Sequence, residues 1–69
     1  MTDFADKCRI ESCKAVGSTP YGVWVSCPDW DKEEFVPQSK IDSDSDVWKE
    51  GDEGVLVVDG WLADQRGWR

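Results

Sequence analysis

Residues 21–37 read YGVWVSCPDWDKEEFVP, and this stretch decides the fold class. Tyr21, Val23, Val25 and Cys27 alternate with Gly22, Trp24 and Ser26, the period of a strand with one buried face. Pro28-Asp29-Trp30-Asp31-Lys32 supplies a loop. Glu34-Phe35-Val36 then resumes an extended pattern that ends at Pro37, which has no backbone N–H to give to a ladder. The two runs form a hairpin with a long connection.

Working outward, Gly17-Ser18-Thr19-Pro20 reads as a turn that leads back to an earlier segment. Residues 7–16 allow two readings. As a helix capped by Thr2, the segment would line up Phe4, Ala5, Cys8, Ala15 and Val16 but leave Ile10 and Cys13 off that face. As a strand, Cys8 and Ile10 share one face and Cys13 and Ala15 the other, so a bulge near Ser12 is needed to reconcile them. The strand is the favoured reading. Downstream, residues 38–46 are polar, and Gly51 to Gly54 make a turn before Val55-Leu56-Val57-Val58, an apolar run suited to a strand covered on both faces. Asp59 is placed to cap a short helix through Trp61, Leu62, Ala63 and Gln65, with Gly67 as its stop. That helix is expected to press Trp61 and Leu62 onto the sheet.

Short strands punctuated by Gly and Pro, followed by one helix, make the chain mainly β, a small α+β fold. The expected form is a single curved antiparallel sheet, or a partly open SH3-like or OB-like barrel, with a short C-terminal helix. The 69 residues form a single domain (1–69) of a size that buries only about 60% of its unfolded surface. Eight aromatic residues, five of them Trp, supply large apolar areas from few positions.

Ten of the fifteen acidic residues lie in residues 29–53 beside only Lys32, Lys40 and Lys49, a surplus equal to the whole formal charge of −7. Such a field repels nucleic acid, whose binding rests on Lys and Arg displacing condensed counterions, and attracts a basic protein surface. Direct nucleic-acid binding is therefore disfavoured. No apolar run approaches a membrane span and no basic-then-apolar leader begins the chain, so the reading is a soluble protein of the cytoplasm with no membrane partner. The odd number of cysteines fits the same reducing compartment.

Three motifs invite sharper readings. Asp42, Asp44, Asp46 and Glu53 imitate positions 1, 3, 5 and 12 of a calcium loop, but Val47 stands where the invariant Gly belongs and Lys49 where an apolar residue belongs, so the segment reads as a solvated acidic linker. Cys8, Cys13 and Cys27 lack the second pair and the His that a zinc site would add. They read as buried small hydrophobes, with a disulfide between two of them as the alternative. Without His, no hydrolytic dyad or triad can be assembled. No enzymatic activity, metal or cofactor is expected.

FVPQSKI at 35–41, GDEGVLVV at 51–58 and WLA at 61–63 together resemble small β proteins of phages and mobile elements. These carry a W-x-P-x-S-x-[IV] hairpin, an acidic linker, a Gly-turn strand and a C-terminal W-[LIF]-A helix. Phe35 stands where that pattern has Trp, and the resemblance covers residues 21–67. It implies a β fold and a viral origin, with the bacterial host cytoplasm as location; inhibition of host defence machinery, of anti-CRISPR-like kind, is an expectation from the style of small acidic phage proteins and is not carried by these residues.

The function expected from these readings is a small acidic protein-binding module, an inhibitor or modulator that docks on a basic, nucleic-acid-binding surface of a host protein. Its partner-binding residues are Trp30, Asp31, Asp42, Asp44, Asp46, Trp48, Glu50, Asp52 and Glu53. In an extended chain Asp42, Asp44 and Asp46 would project on one side about 6.6 Å apart, a charge ladder that mimics phosphates. Trp30 and Trp48 would serve as interface anchors. An alternative is a nucleic-acid accessory module that stacks bases on Trp24 and Tyr21 and contacts phosphates through Lys7, Arg9, Lys14, Arg66 and Arg69. A structural or assembly component of a phage particle is the third possibility.

Overall fold

The computed structural model describes residues 4–69, in which four antiparallel strands form one open sheet of order β3-β2-β1-β4. The strands are β1 (Lys7–Thr19), β2 (Gly22–Ser26), β3 (Glu34–Pro37) and β4 (Glu53–Asp59), and a helix, α1 (Gly60–Arg66), follows directly. The expected class, a mainly β chain with a curved sheet and a short C-terminal helix, is the one observed. The helix alternative for residues 7–16 is not; its proposed cap, Thr2, lies outside the described residues.

β1 is the long strand on which the sheet is built, because it pairs with β2 through its second half and with β4 through its first. Its register against β4 slips between Ile10 and Cys13, where Ser12 takes a φ of 60°. This is the bulge that the inverted alternation around Ser12 requires. It turns Cys8, Cys13 and Ala15 into one core although they are out of phase in sequence. A second slip separates Ala15 from Gly17 on the β2 side and leaves Val16 outside.

The β1–β2 turn falls two residues later than the sequence suggests, at Pro20-Tyr21. Gly17 is used within β1 opposite Trp24, and Thr19 Oγ1 accepts the Tyr21 N–H at 3.1 Å, which fixes the tighter turn instead. In β2, Val23 and Val25 are fully buried while Trp24 points out, as the alternation predicts. Gly22 has to be glycine, since any Cβ there would run into the Val36 carbonyl and the Phe35 ring. Val36 enters the core, whereas Phe35 lies half-buried on the outer face, its ring edge-on to Trp24 with centroids 5.4 Å apart. Phe35 is thus a cross-strand partner of Trp24 and no core anchor.

Leu56, Val57 and Val58 are all fully buried, as a doubly covered strand demands. The polypeptide turns from β4 into α1 at Asp59, whose Oδ1 accepts the Trp61 N–H at 3.2 Å, and leaves it at Gly67 with φ of 74°. Both caps sit where the sequence puts them. Besides Gly60 at its start, Leu62 and Ala63 are the residues α1 buries. Trp61 is 57% exposed and lies beside Lys40, whose Nζ stands 5.3 Å from the ring centroid, so the expectation that it presses on the sheet is corrected. On a helix of seven residues, Leu62 and Ala63 already occupy the contact face and Trp61 falls to its side.

Cys13 and Cys27 are joined by a disulfide with Cα atoms 4.4 Å apart, and Cys8 is the free, buried thiol. Unpaired cysteines are the main expectation from the sequence, and for this pair the alternative holds. The bulge at Ser12 turns Cys13 inward, where the end of β2 places Cys27. No helix among the described residues is long and apolar enough to cross a membrane.

Candidate functional site

The acidic stretch separates into two parts with different uses. Residues 41–52 are not a solvated linker. Residues 41–46 run along the outer edge of β4, with the Asp42 and Asp46 N–H groups donating to the Val57 and Val55 carbonyls at 2.8 Å, and Ile41 bridging Val58. Ile41 and Val47 are fully buried in the core. The turn that follows reaches β1, where the Gly51 N–H donates to the Ala15 carbonyl at 3.0 Å and the Ala15 N–H to the Asp52 carbonyl at 2.8 Å.

Most carboxylates of this segment serve its own backbone. Asp42 is fully buried and accepts the Phe4 N–H at 2.8 Å and the Asp44 N–H at 2.9 Å, with Lys7 Nζ 3.5 Å away. The two N–H groups, Asp44 first and then Phe4, and next the Lys7 charge hold its carboxyl below the usual carboxylate range against the opposing effect of burial. Asp46 accepts the Val55 N–H, and its side chain stands where Gly54, at φ of 136°, would carry a Cβ. Asp52 accepts the Trp48 and Lys49 N–H groups at 3.0 and 3.1 Å. Asp44 faces Lys7 and Arg9, and Glu53 faces Lys14. The expected ladder of Asp42, Asp44 and Asp46 along one side of an extended chain is therefore not formed, because the chain turns after Asp42 and takes that carboxylate inside. Glu50 alone in this segment is exposed with neither an ion pair nor a hydrogen bond to its carboxylate among the described residues.

Neither proposed Trp anchor stands free. Trp48 is half-buried against the core and its indole N–H donates to the Ser45 carbonyl at 2.7 Å. Trp30 also packs against the core and stacks on Trp68, with centroids 4.4 Å apart and planes 24° apart. Arg66 continues this stack 5.7 Å from the Trp68 ring while pairing with Glu34 at 3.3 Å. Trp68 is a residue whose contribution sequence reading missed; its position after the Gly67 stop was the available signal.

Three more carboxylates without ion pairs lie together on another loop. Asp29, Asp31 and Glu33 lie exposed on the β2–β3 loop that carries Trp30. Glu11 and Asp29 lie with Arg9 around a shallow groove of about 390 Å³ that also touches Ile10, Ser12, Pro28 and Trp68. The cations are distributed in the opposite way. Lys7, Arg9, Lys14, Arg66 and Arg69, the set that would hold phosphates, each make an ion pair with a carboxylate. Arg69 alone engages Asp6 at 2.7 Å and Asp64 at 2.9 Å, and it lowers the pKa of both carboxyls. The free thiol of Cys8 is pushed up chiefly by burial, the opposite of what a nucleophile needs.

On the outer face of the sheet Trp24 is 44% exposed and lies edge-on to Phe35, and Tyr21, on the β1–β2 turn, is 80% exposed. The molecule thus presents an acidic, Trp-backed loop and a neighbouring aromatic outer face. Comparison with protein-family models, curated proteins and solved structures finds no match to this chain.

Proposed function

We propose that this chain is a protein-binding module that docks the acidic β2–β3 loop on a basic surface of another protein and modulates that protein by occupying it. The supporting observation is the segregation of charge. Asp29, Asp31 and Glu33 share one loop with a single base, Lys32, that pairs with none of them, while the cations that would attract nucleic acid are engaged by carboxylates. Unpaired surface carboxylates keep their full field toward an incoming cation and raise the association rate at low salt. The stack of Trp30 on Trp68 gives the loop a rigid backing, which lowers the ordering cost of binding.

Two double reversals separate a local patch from net charge. Asp31→Lys/Glu33→Lys and Glu50→Lys/Glu53→Lys each add four charges to −7 and leave −3. The wild-type protein is immobilised, exposed to a bacterial lysate and eluted with salt, and each variant is then compared for the partner recovered. The loop variant is expected to lose the partner and the segment variant to keep it, both with unchanged circular dichroism. Retention by the loop variant removes the loop from consideration, and equal loss in both assigns binding to overall charge alone.

A further inference from the structure

The sheet has two edges, and they differ. The β4 edge is sealed by residues 41–46, and the second half of β1 beyond it by the turn at Gly51 and Asp52. The β3 edge has no neighbour among the described residues.

The register shows which groups it offers. Gly22 lies opposite Pro37 and Val23 opposite Val36, and the Gln38 N–H donates to the Tyr21 carbonyl. Because Pro37 has no N–H, the Gly22–Pro37 pair is of the type that exchanges no hydrogen bonds, and the bonded positions are Tyr21 with Gln38 and Val23 with Val36. Main-chain groups alternate sides along a strand, so the N–H and C=O of Phe35 face outward from the sheet. No other described group hydrogen-bonds with them. Beside this edge lie the edge-to-face pair of Phe35 and Trp24, and at the start of the strand the unpaired carboxylates of Asp31 and Glu33.

We infer that the β3 edge is where the partner proposed above is held: an extended segment bearing lysine or arginine adds beside β3 through the Phe35 main chain. This rests on the docking reading and gives it a geometry. Strand addition supplies main-chain hydrogen bonds, with specificity from alternate side chains. Here one side chain of the added segment covers Phe35 and Trp24, and its cations reach Asp31 and Glu33. A second copy of this chain is the wrong occupant, since it brings the same acidic run and a charge of −7 to the same edge. Pro37 discourages such self-pairing by removing a donor from the edge.

The test uses a peptide of about eight residues alternating valine and lysine, the length of an ordinary strand, and the same peptide with every backbone amide N-methylated. Both carry the same charge, but in the methylated form both edges are blocked, so it completes a ladder on neither side. Amide hydrogen exchange of the isotopically labelled protein is followed at low salt. The unmodified peptide is expected to slow exchange at Phe35 by roughly tenfold or more and to leave Val36, already bonded to β2, unchanged. The methylated peptide should give no Phe35 protection. Equal binding by both peptides without Phe35 protection overturns strand addition yet leaves acidic docking standing, because the lysines then suffice. Binding by neither peptide overturns strand addition outright, while the lysate comparison of the two charge reversals judges the docking reading on its own.

Discussion

Asp42 and Asp44 are two residues apart in a run of alternating aspartates and serines, and the fold gives them opposite fates. Asp42 is fully buried with two N–H donors and a lysine, whereas Asp44 stays at the surface. The repetitive sequence carries no mark of which aspartate turns inward; that is decided by the N-terminal segment and Lys7 arriving from 35 or more positions away. A carboxyl whose folded pKa lies below its unfolded value of roughly 3.9 contributes stability above that value and loses it as pH falls through the folded one. The denaturant midpoint of the wild-type protein is therefore expected to stay level from pH 7 toward 4 and to fall below it. Asp42→Asn should start lower at pH 7 and lose less on acidification. An identical pH dependence in the two proteins would remove Asp42 as a source of the acid sensitivity. Ser12 makes the second case at this scale. Its φ of 60° is one that a β-branched residue resists. Ser12→Val is expected to destabilise by about 1–2 kcal/mol and Ser12→Gly to be neutral or stabilising, read from urea midpoints.

Among the elements, those whose signals are local were readable. Alternation in β2, the apolar run of β4, the Asp59 cap and the Gly67 stop each report a backbone preference that the neighbouring chain cannot easily override. Even the β1 bulge was visible, because a strand that buries Cys8 and then Cys13 on one face must take in an extra residue between them. What was hidden depends on distant partners: the Trp30–Trp68 stack, the exposure of Trp61, and the packing of residues 41–52 against β4. That last segment looks like linker because its apolar residues, Ile41, Val47 and Trp48, are few and unperiodic, yet the first two are fully buried and Trp48 is half-buried against the core. Val47→Ala should cost about 1.6 kcal/mol from roughly 0.8 kcal/mol per lost buried carbon, with any cavity term added. A truly solvated linker would show no change in midpoint. The disulfide ties the β1 bulge to the end of β2 across a sequence separation of 14. Closing a loop of that size contributes about 3 kcal/mol, so Cys13→Ala/Cys27→Ala, or reduction, should lower the thermal midpoint by roughly 4–8 °C for each kcal/mol lost. The bridge persists in an oxidising compartment and is opened in a reducing one.

At the scale of the whole molecule, the net charge of −7 is less informative than its distribution. Residues 29–53 look uniformly acidic in sequence. Folding consumes much of that charge: Asp42, Asp46 and Asp52 hold backbone, and Asp44 and Glu53 neutralise cations. What remains outward is concentrated in the β2–β3 loop, and Trp24 is exposed on the outer face of the strands that loop joins. Exposed Trp24 and Tyr21 are the feature that favours base stacking, worth roughly 1 to 3 kcal/mol per base. Phosphates following those bases would meet Lys14, Arg9 or Arg66 already paired, and each contact would have to displace a carboxylate that folding keeps near by. The counterion release that drives such binding is then largely absent. Titration with single-stranded DNA at low salt is accordingly expected to leave tryptophan fluorescence unquenched and electrophoretic mobility unshifted. Quenching that weakens as salt rises would mean that the aromatic face outweighs the acidic field, and would overturn the docking reading in favour of stacking.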